Sequence, residues 1–211
     1  MVSIYYTRFE AENDAKAKRQ LEHRLGLELL KTGLMELYGL EISVSDSAIG
    51  RGRHGKPYLI GHPEIHFNIS HCEGLAVCGF CETELGLDVE YIQPYRENVV
   101  RKVLSEREKE AFGKMAVEEK AEYFFRLWTL KESYVKAVGC GITVPLSEIE
   151  FCLDPAGKID CPIPGVGFWQ KKIDSGRILS VCVAEGNVEE NSVVLEELQL
   201  MECQDKKSGG E

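Results

Sequence analysis

The sequence predicts an α+β protein, on three observations. Residues 85–92, "LGLDVEYI", alternate apolar and polar side chains at the two-residue period of a strand. Residues 14–38 and roughly 118–138 carry apolar residues at helical spacing, and each stretch is followed by a glycine, Gly39 and Gly139. Strand-like segments bounded by Gly and Pro follow each of these helices, so the chain reads as two runs of helix plus strands, with no repeat in the sequence itself. The expected halves are residues 1–90 and 91–203, followed by a disordered tail, 204–211.

The elements follow in order. Residues 2–7 read as a short strand, and Leu21, Leu25, Leu29 and Leu37 give the first helix its apolar stripe. "IHFNIS" and "LAVCGF" read as two strands joined by the turn-like "HCEG". Then comes "LGLDVEYI". A helix starts near Ser105, where Ser105 and Glu108 form the S-x-x-E of a capping box. The second long helix ends at Gly139, and "IEFCL", "GFWQKKI" and "ILSVCVAEG" read as strands.

Composition narrows the class. The chain has 211 residues, 44% hydrophobic and 28% charged, as expected of a globular protein with a real core. "MVSIYYTRFE" lacks the basic and apolar regions of a signal peptide, and no stretch is long and apolar enough to cross a bilayer. The expectation is a soluble, cytoplasmic protein. Eight dispersed cysteines then read as free thiols, and the one C-x-x-C, Cys78 and Cys81, lacks a second ligand pair for zinc. The net charge is −10: residues 1–60 hold nine Lys/Arg against eight Asp/Glu, so the acidity lies in the remainder. That is the reverse of a nucleic-acid binder.

Four segments carry chemistry. "GRGRHGKP" spells both G-x-G-x-x-G and G-x-x-x-x-G-K, but an extended "KPYLI" follows where a helix is required, and Pro57 stands where a P-loop needs a hydroxyl. What remains is a basic loop of Arg51, Arg53, His54 and Lys56, either a phosphate holder or a solvated surface. "FNISH" puts Asn68, Ser70 and His71 at a strand end, as ligand contacts or as hairpin caps. Asp88 and Glu90 share one face of their strand about 6.6 Å apart, where two anions repel or bracket one cation. Glu132 and Lys136 share a helix face at i, i+4, worth a few tenths of a kcal/mol as a surface pair. Their helix is largely apolar, however, and a buried Glu132 calls for a compensating charge.

Together these segments resemble the 4′-phosphopantetheinyl transferases of the larger, surfactin-synthetase-activating type. The resemblance runs in order through "GKP" (55–57), "FNISH" (67–71), "GLDVE" (86–90) and "WTLKESYVKAVG" (128–139). It implies two similar α/β halves related by a pseudo-twofold axis, the first on the nucleotide side of coenzyme A, the second on the metal and carrier-protein side. It implies a holo-[carrier protein] synthase that moves the phosphopantetheine arm of coenzyme A to a serine of an apo acyl or peptidyl carrier protein. Asp88, Glu90 and Glu132 look like ligands of magnesium, or of manganese in its place, and Lys136 like the catalytic lysine that meets the pyrophosphate. Arg51, Lys56, Ser70 and His71 fall among the coenzyme A contacts, with Lys16, Lys18, Arg19 and Arg24 further candidates. Glu108 falls where the family's general base lies, in competition with its capping box. Arg101, Lys102, Arg107 and Lys109 are candidates for docking an acidic carrier. A monomer is expected, with no nucleic-acid or membrane partner. The competing classes are a magnesium-dependent nucleotide phosphohydrolase and a non-catalytic module binding coenzyme A or a carrier.

Overall fold

The structure, a computed structural model, describes residues 1–42, 48–52, 54–141, 144–154, 158–186 and 188–200. Arg53 and the tail expected to be disordered lie outside the described residues. The chain runs β1 (Val2–Arg8), α1 (Ala15–Tyr38), β2 (Ile49–Arg51), β3 (Pro57–Leu59), β4 (His66–Cys72), β5 (Leu75–Cys81) and β6 (Leu85–Tyr91). It continues through α2 (Glu97–Val103), α3 (Glu106–Lys114), α4 (Val117–Val138), β7 (Cys152–Leu153), β8 (Ile159–Asp160), β9 (Val166–Lys172), β10 (Arg177–Ala184) and β11 (Val193–Glu197). This is the α+β architecture expected.

Two sheets organise it. One has the order β11-β1-β5-β4 and the other β6-β10-β9. Their facing sides share one apolar core, in which Ile4, Leu75 and Val77 of the first sheet meet Leu85, Leu87, Val181 and Val183 of the second. On the first sheet's other side, Leu25, Leu29 and Leu34 of α1 pack on Phe67, Ala76 and Phe80. On the second sheet's other side, Leu127 and Leu130 of α4 form a core with Ile178 and the flanking Phe168. The order of layers is therefore helix, sheet, sheet, helix. The expected boundary at residue 90 falls inside β6, which pairs with β10, while β11 returns to lie parallel to β1. Each sheet thus draws strands from both sides of that boundary.

The helices start and stop as side-chain chemistry requires. Asp14 Oδ1 accepts the free amides of Lys16 and Ala17, and Gly39 ends α1 in the left-handed region at φ 64°. Gly33 gives α1 its close approach to the sheet, because a Cβ there would lie 2.2 Å from the Phe80 ring. Ser105 and Glu108 form the reciprocal capping box of α3, and Gly139 closes α4 at φ 67°. In the "GRGRHGKP" segment, β2 and β3 form a small hairpin whose turn holds Gly55 at φ 85°, so no helix follows the glycines. All described cysteines are free, and burial pushes the Cys78 thiol well up from its usual range.

The sheets are joined at β4 and β6 by side chains. Asn68 Oδ1 accepts the Leu87 amide at 2.9 Å, and Ser70 Oγ accepts the Val89 amide at 3.2 Å. Two β6 donors facing β4 therefore end on side chains where a ladder would supply carbonyls. At another edge, Arg8 of β1 and Arg177 of β10 both donate to Asp174 Oδ2, at 2.7 and 2.9 Å. Arg8 also pairs with Glu197 of β11 at 3.2 Å.

Candidate active site

The alternation of β6 turns Gly86, Asp88 and Glu90 toward α4. At Gly86 the strand passes tightly against the helix: a Cβ there would sit 2.0 Å from the Ser133 carbonyl oxygen and 2.3 Å from the Ala137 nitrogen. Only a residue without a side chain permits this approach. One turn apart on α4, Glu132 and Lys136 face the strand, so the two motifs that the sequence separates by some forty residues stand together.

Lys136 Nζ donates to Asp88 Oδ1 at 2.6 Å and to Ser70 Oγ at 3.1 Å. Ser70 Oγ in turn lies 3.3 Å from Asp88 Oδ1. The lysine, the serine and the aspartate form a closed triangle, with Asp88 and Ser70 both only 5% exposed. Three carboxylates with one ammonium leave the cluster short of positive charge. Burial and the Asp88 anion push Glu90 up to about 7, against the pull of Lys136. Burial and Asp88 likewise raise Glu132, again opposed by Lys136. The Trp128 side chain favours the charged form of Glu90.

Asp88 Oδ2 is buried without a hydrogen-bond partner, alone in this among the described residues. A buried carboxylate oxygen left open, beside two carboxyls that resist ionising, is the donor set a hard divalent cation satisfies. As they stand, no three His, Cys, Asp or Glu side chains among the described residues are grouped closely enough to hold a metal ion. The positive charge at Asp88 is the Lys136 ammonium.

The other expected residues sit around this cluster or away from it. His71, next to Ser70, points to α1, where its Nδ1 is 3.4 Å from Glu22 Oε2, and Lys18 approaches the same carboxylate at 3.9 Å. Burial lowers the His71 pKa; Glu22 opposes that, and Lys136 and Lys18 reinforce it. Lys16, Arg19 and Arg24 are exposed along α1. Arg51 is exposed and folds back to donate to the Gly55 carbonyl at 3.3 Å. Lys56 donates to the carbonyls of Leu85 at 3.1 Å and Ala137 at 2.8 Å, and pairs with Glu84. A cavity of about 320 Å³ opens between the turn at Gly55 and the end of α4, with Asn68, Glu132, Val135 and Lys136 on its wall.

Glu108 lies elsewhere. Its Oε2 accepts the Ser105 amide at 2.8 Å and the Lys131 ammonium, and its Oε1 accepts the Phe151 amide at 2.9 Å. Glu108 is 2% and Lys131 0% exposed. None of these partners belongs to the Asp88 cluster. Of its two readings, this geometry is that of the cap, carried further by a buried ion pair. Neither Lys131 nor Glu22 stands out in sequence reasoning, although each breaks an otherwise apolar helix face, and that is the signal by which both are found.

The family description "4'-phosphopantetheinyl transferase superfamily" matches residues 84–182, from the start of β6 into β10. The 4'-phosphopantetheinyl transferase Sfp of Bacillus subtilis (strain 168) is 26% identical over 181 residues, 84% of this chain and 80% of its own length. Another Bacillus subtilis 4'-phosphopantetheinyl transferase is 29% identical over 140 residues, 66% of this chain; the match spans 62% of that relative's length. Among solved structures, holo-[acyl-carrier-protein] synthase of Thermotoga maritima aligns with 49% of this chain and 63% of its own, at 22% identity and a TM-score of 0.41.

Proposed function

We propose, on the match of residues 84–182 to the 4′-phosphopantetheinyl transferase superfamily, that the chain belongs to that family and transfers the phosphopantetheine arm of coenzyme A to a serine of an apo carrier protein. The observation that carries this reading to the atoms is the Asp88 cluster. Glu132 and Lys136 stand on the wall of a cavity, and Lys136 ties them to Asp88, whose second carboxylate oxygen is buried and open. Asp88, Glu90 and Glu132 would hold magnesium, or manganese in its place. When bound, the ion supplies charge to offset that developing on the leaving pyrophosphate oxygen.

The chain's own groups do the rest. Lys136 is held by Asp88 and Ser70 within reach of any anion entering the cavity, and a pyrophosphate offers it acceptors in place of Asp88. Ser70 positions both partners of that pair. His71 and Lys18 stand at the α1 side of the cluster, where they offer positive or neutral donors to the nucleotide end of coenzyme A. The carrier serine would lose its proton to a group at the cluster or to water, a reading supported by the hydrogen bonds that the Glu108 oxygens accept from Ser105, Lys131 and Phe151. Exposed Arg101, Lys102 and Arg107 on α2 and α3 offer an acidic carrier a docking face, and the protein acts as a monomer in the cytoplasm.

The test is mass spectrometry of apo acyl and peptidyl carrier proteins incubated with coenzyme A and magnesium. The expected result is the mass gain of one phosphopantetheine on the carrier, lost with chelator and lost in Asp88→Ala. Hydrolysis of coenzyme A without carrier modification would establish a phosphohydrolase instead. Binding without either product would establish a non-catalytic module.

A further inference from the structure

The donors of Lys56, the lysine of "GKP", are taken up within the protein. A lysine ammonium has three N–H donors. Here they meet three acceptors: the Glu84 carboxylate, the Leu85 carbonyl and the Ala137 carbonyl. Its side chain is 17% exposed. Ala137 belongs to the last turn of α4, whose carbonyls lack partners within the helix, and a cation is favoured at that end. Leu85 opens β6 and directly precedes Gly86, where β6 passes tightly against α4. The lysine stem runs beneath the helix cap, with its Cδ 3.4 Å from where a Cβ on Gly139 would stand.

We propose that Lys56 is a positioning residue, a cap in trans that ties the end of α4 to the start of β6 and so sets the place of Lys136. Lys136 immediately precedes the clamped Ala137, and its ammonium reaches back to Asp88. The clamp also fixes one wall of the cavity, since Lys56, Gly139 and Glu132 all line it. The inference rests on the transferase reading for what Lys136 does, but not for the clamp itself. A lysine that left this place for a phosphate would strand two backbone carbonyls without a donor.

Two variants test it, Lys56→Met, which keeps the stem and removes the donors, and Glu84→Gln, which keeps the shape and removes the anion. Amide hydrogen exchange at residues 136–140 reads the clamp without any ligand; calorimetric titration with coenzyme A and with dephospho-coenzyme A reads the site. Lys56→Met should speed exchange of the last turn of α4 by about tenfold or more. It should lower kcat, and weaken the two ligands by the same factor, because no phosphate contact is lost. Glu84→Gln should move exchange the same way by less, and should not tighten coenzyme A.

The opposite signs overturn the proposal. If Lys56 is a phosphate ligand held back by Glu84, then Glu84→Gln tightens coenzyme A, and Lys56→Met costs coenzyme A about tenfold more than the dephospho form. Unchanged exchange at 136–140 in both variants overturns it as well. Should Lys56→Met fail to fold, Glu84→Gln alone still decides. Should the native protein bind neither ligand, the transferase reading fails while the exchange data still judge the clamp.

Discussion

Gly86→Ala is the smallest change that separates the strand from the helix. The added methyl would lie 2.0 Å from the Ser133 oxygen, 2.3 Å from the Ala137 nitrogen and 2.8 Å from the Lys136 carbonyl carbon, all backbone atoms. Ordinary contact starts at 3.4 Å, so β6 and α4 must part by about 1.4 Å at this point. The same displacement would stretch the Lys136–Asp88 bond from 2.6 Å to about 4 Å, past hydrogen-bonding range. Overpacking of this kind costs about 1–3 kcal/mol, or a Tm loss of about 2–4 °C for each kcal/mol in a chain of this size. A misplacement of about 1 Å at a catalytic group costs up to about 10²-fold in rate. Thermal unfolding and carrier-modification rate are measured side by side. Gly113→Ala on α3, where nothing lies within 4 Å of the new methyl, is the control and should gain about 0.5–1 kcal/mol. A Gly86→Ala protein with native Tm and native turnover would falsify the approach of β6 to α4 on which the site is built.

Three further outcomes follow from the same geometry. Glu108→Gln leaves the fully buried Lys131 without its anion, a loss of about 3–5 kcal/mol and on the order of 10 °C in Tm. The fraction that remains folded should keep its kcat; lost kcat at unchanged Tm would restore Glu108 as the base. Glu90 is held at about 7 against an ordinary 4.5, so folding takes up a proton between those values and the metal-free protein loses stability as pH rises through them. Glu90→Gln should therefore raise Tm at pH above about 7 in chelator, with little effect near pH 4, and equal shifts at both would refute the charge argument. Asp174 runs the other way. Burial would raise it, but hydrogen bonds from Arg8, the Gly176 amide and Arg177 hold it at about 2 against 3.8, so its stabilisation is full above 3.8 and lost as pH falls toward 2. The Tm penalty of Asp174→Asn should be present at pH 6 and shrink across that acidic window, and a penalty independent of pH would show that packing, not charge, is lost.

Period and punctuation made much of the fold legible. The alternation of 85–92 predicted not only β6 but which residues face one way, and Gly39, Gly139 and Ser105 marked helix ends that the structure places at those residues. What stayed hidden is what spacing does not encode. β11 is five residues long, mostly exposed and parallel to a strand nearly two hundred residues away, so nothing local announces it. The "IEFCL" run has the composition of a strand, yet only Cys152 and Leu153 pair, because Ile149 and Phe151 belong to the core under α3 and α4. At the candidate site, residue types and order were readable, and so was the conflict over Glu108. The partners that bear on that conflict, Lys131 and the Phe151 amide, come from other elements. Lys56 shows the same limit: its place in a glycine-rich loop does not tell that its three donors meet Glu84, Leu85 and Ala137.

The seam between β4 and β6 makes the joint between the sheets a property of two side chains. A backbone ladder is indifferent to sequence, and substitution seldom loosens it. Asn68 and Ser70 can each be replaced without altering either sheet internally, so the spacing of the two layers is open to mutation in a way that ladder-bonded sheets are not. Ser70 has a second allegiance, to Lys136 and Asp88. Any drift along this seam therefore reaches the lysine and the aspartate directly, and a lineage of such proteins could tune its chemistry and its architecture only together at that one hydroxyl.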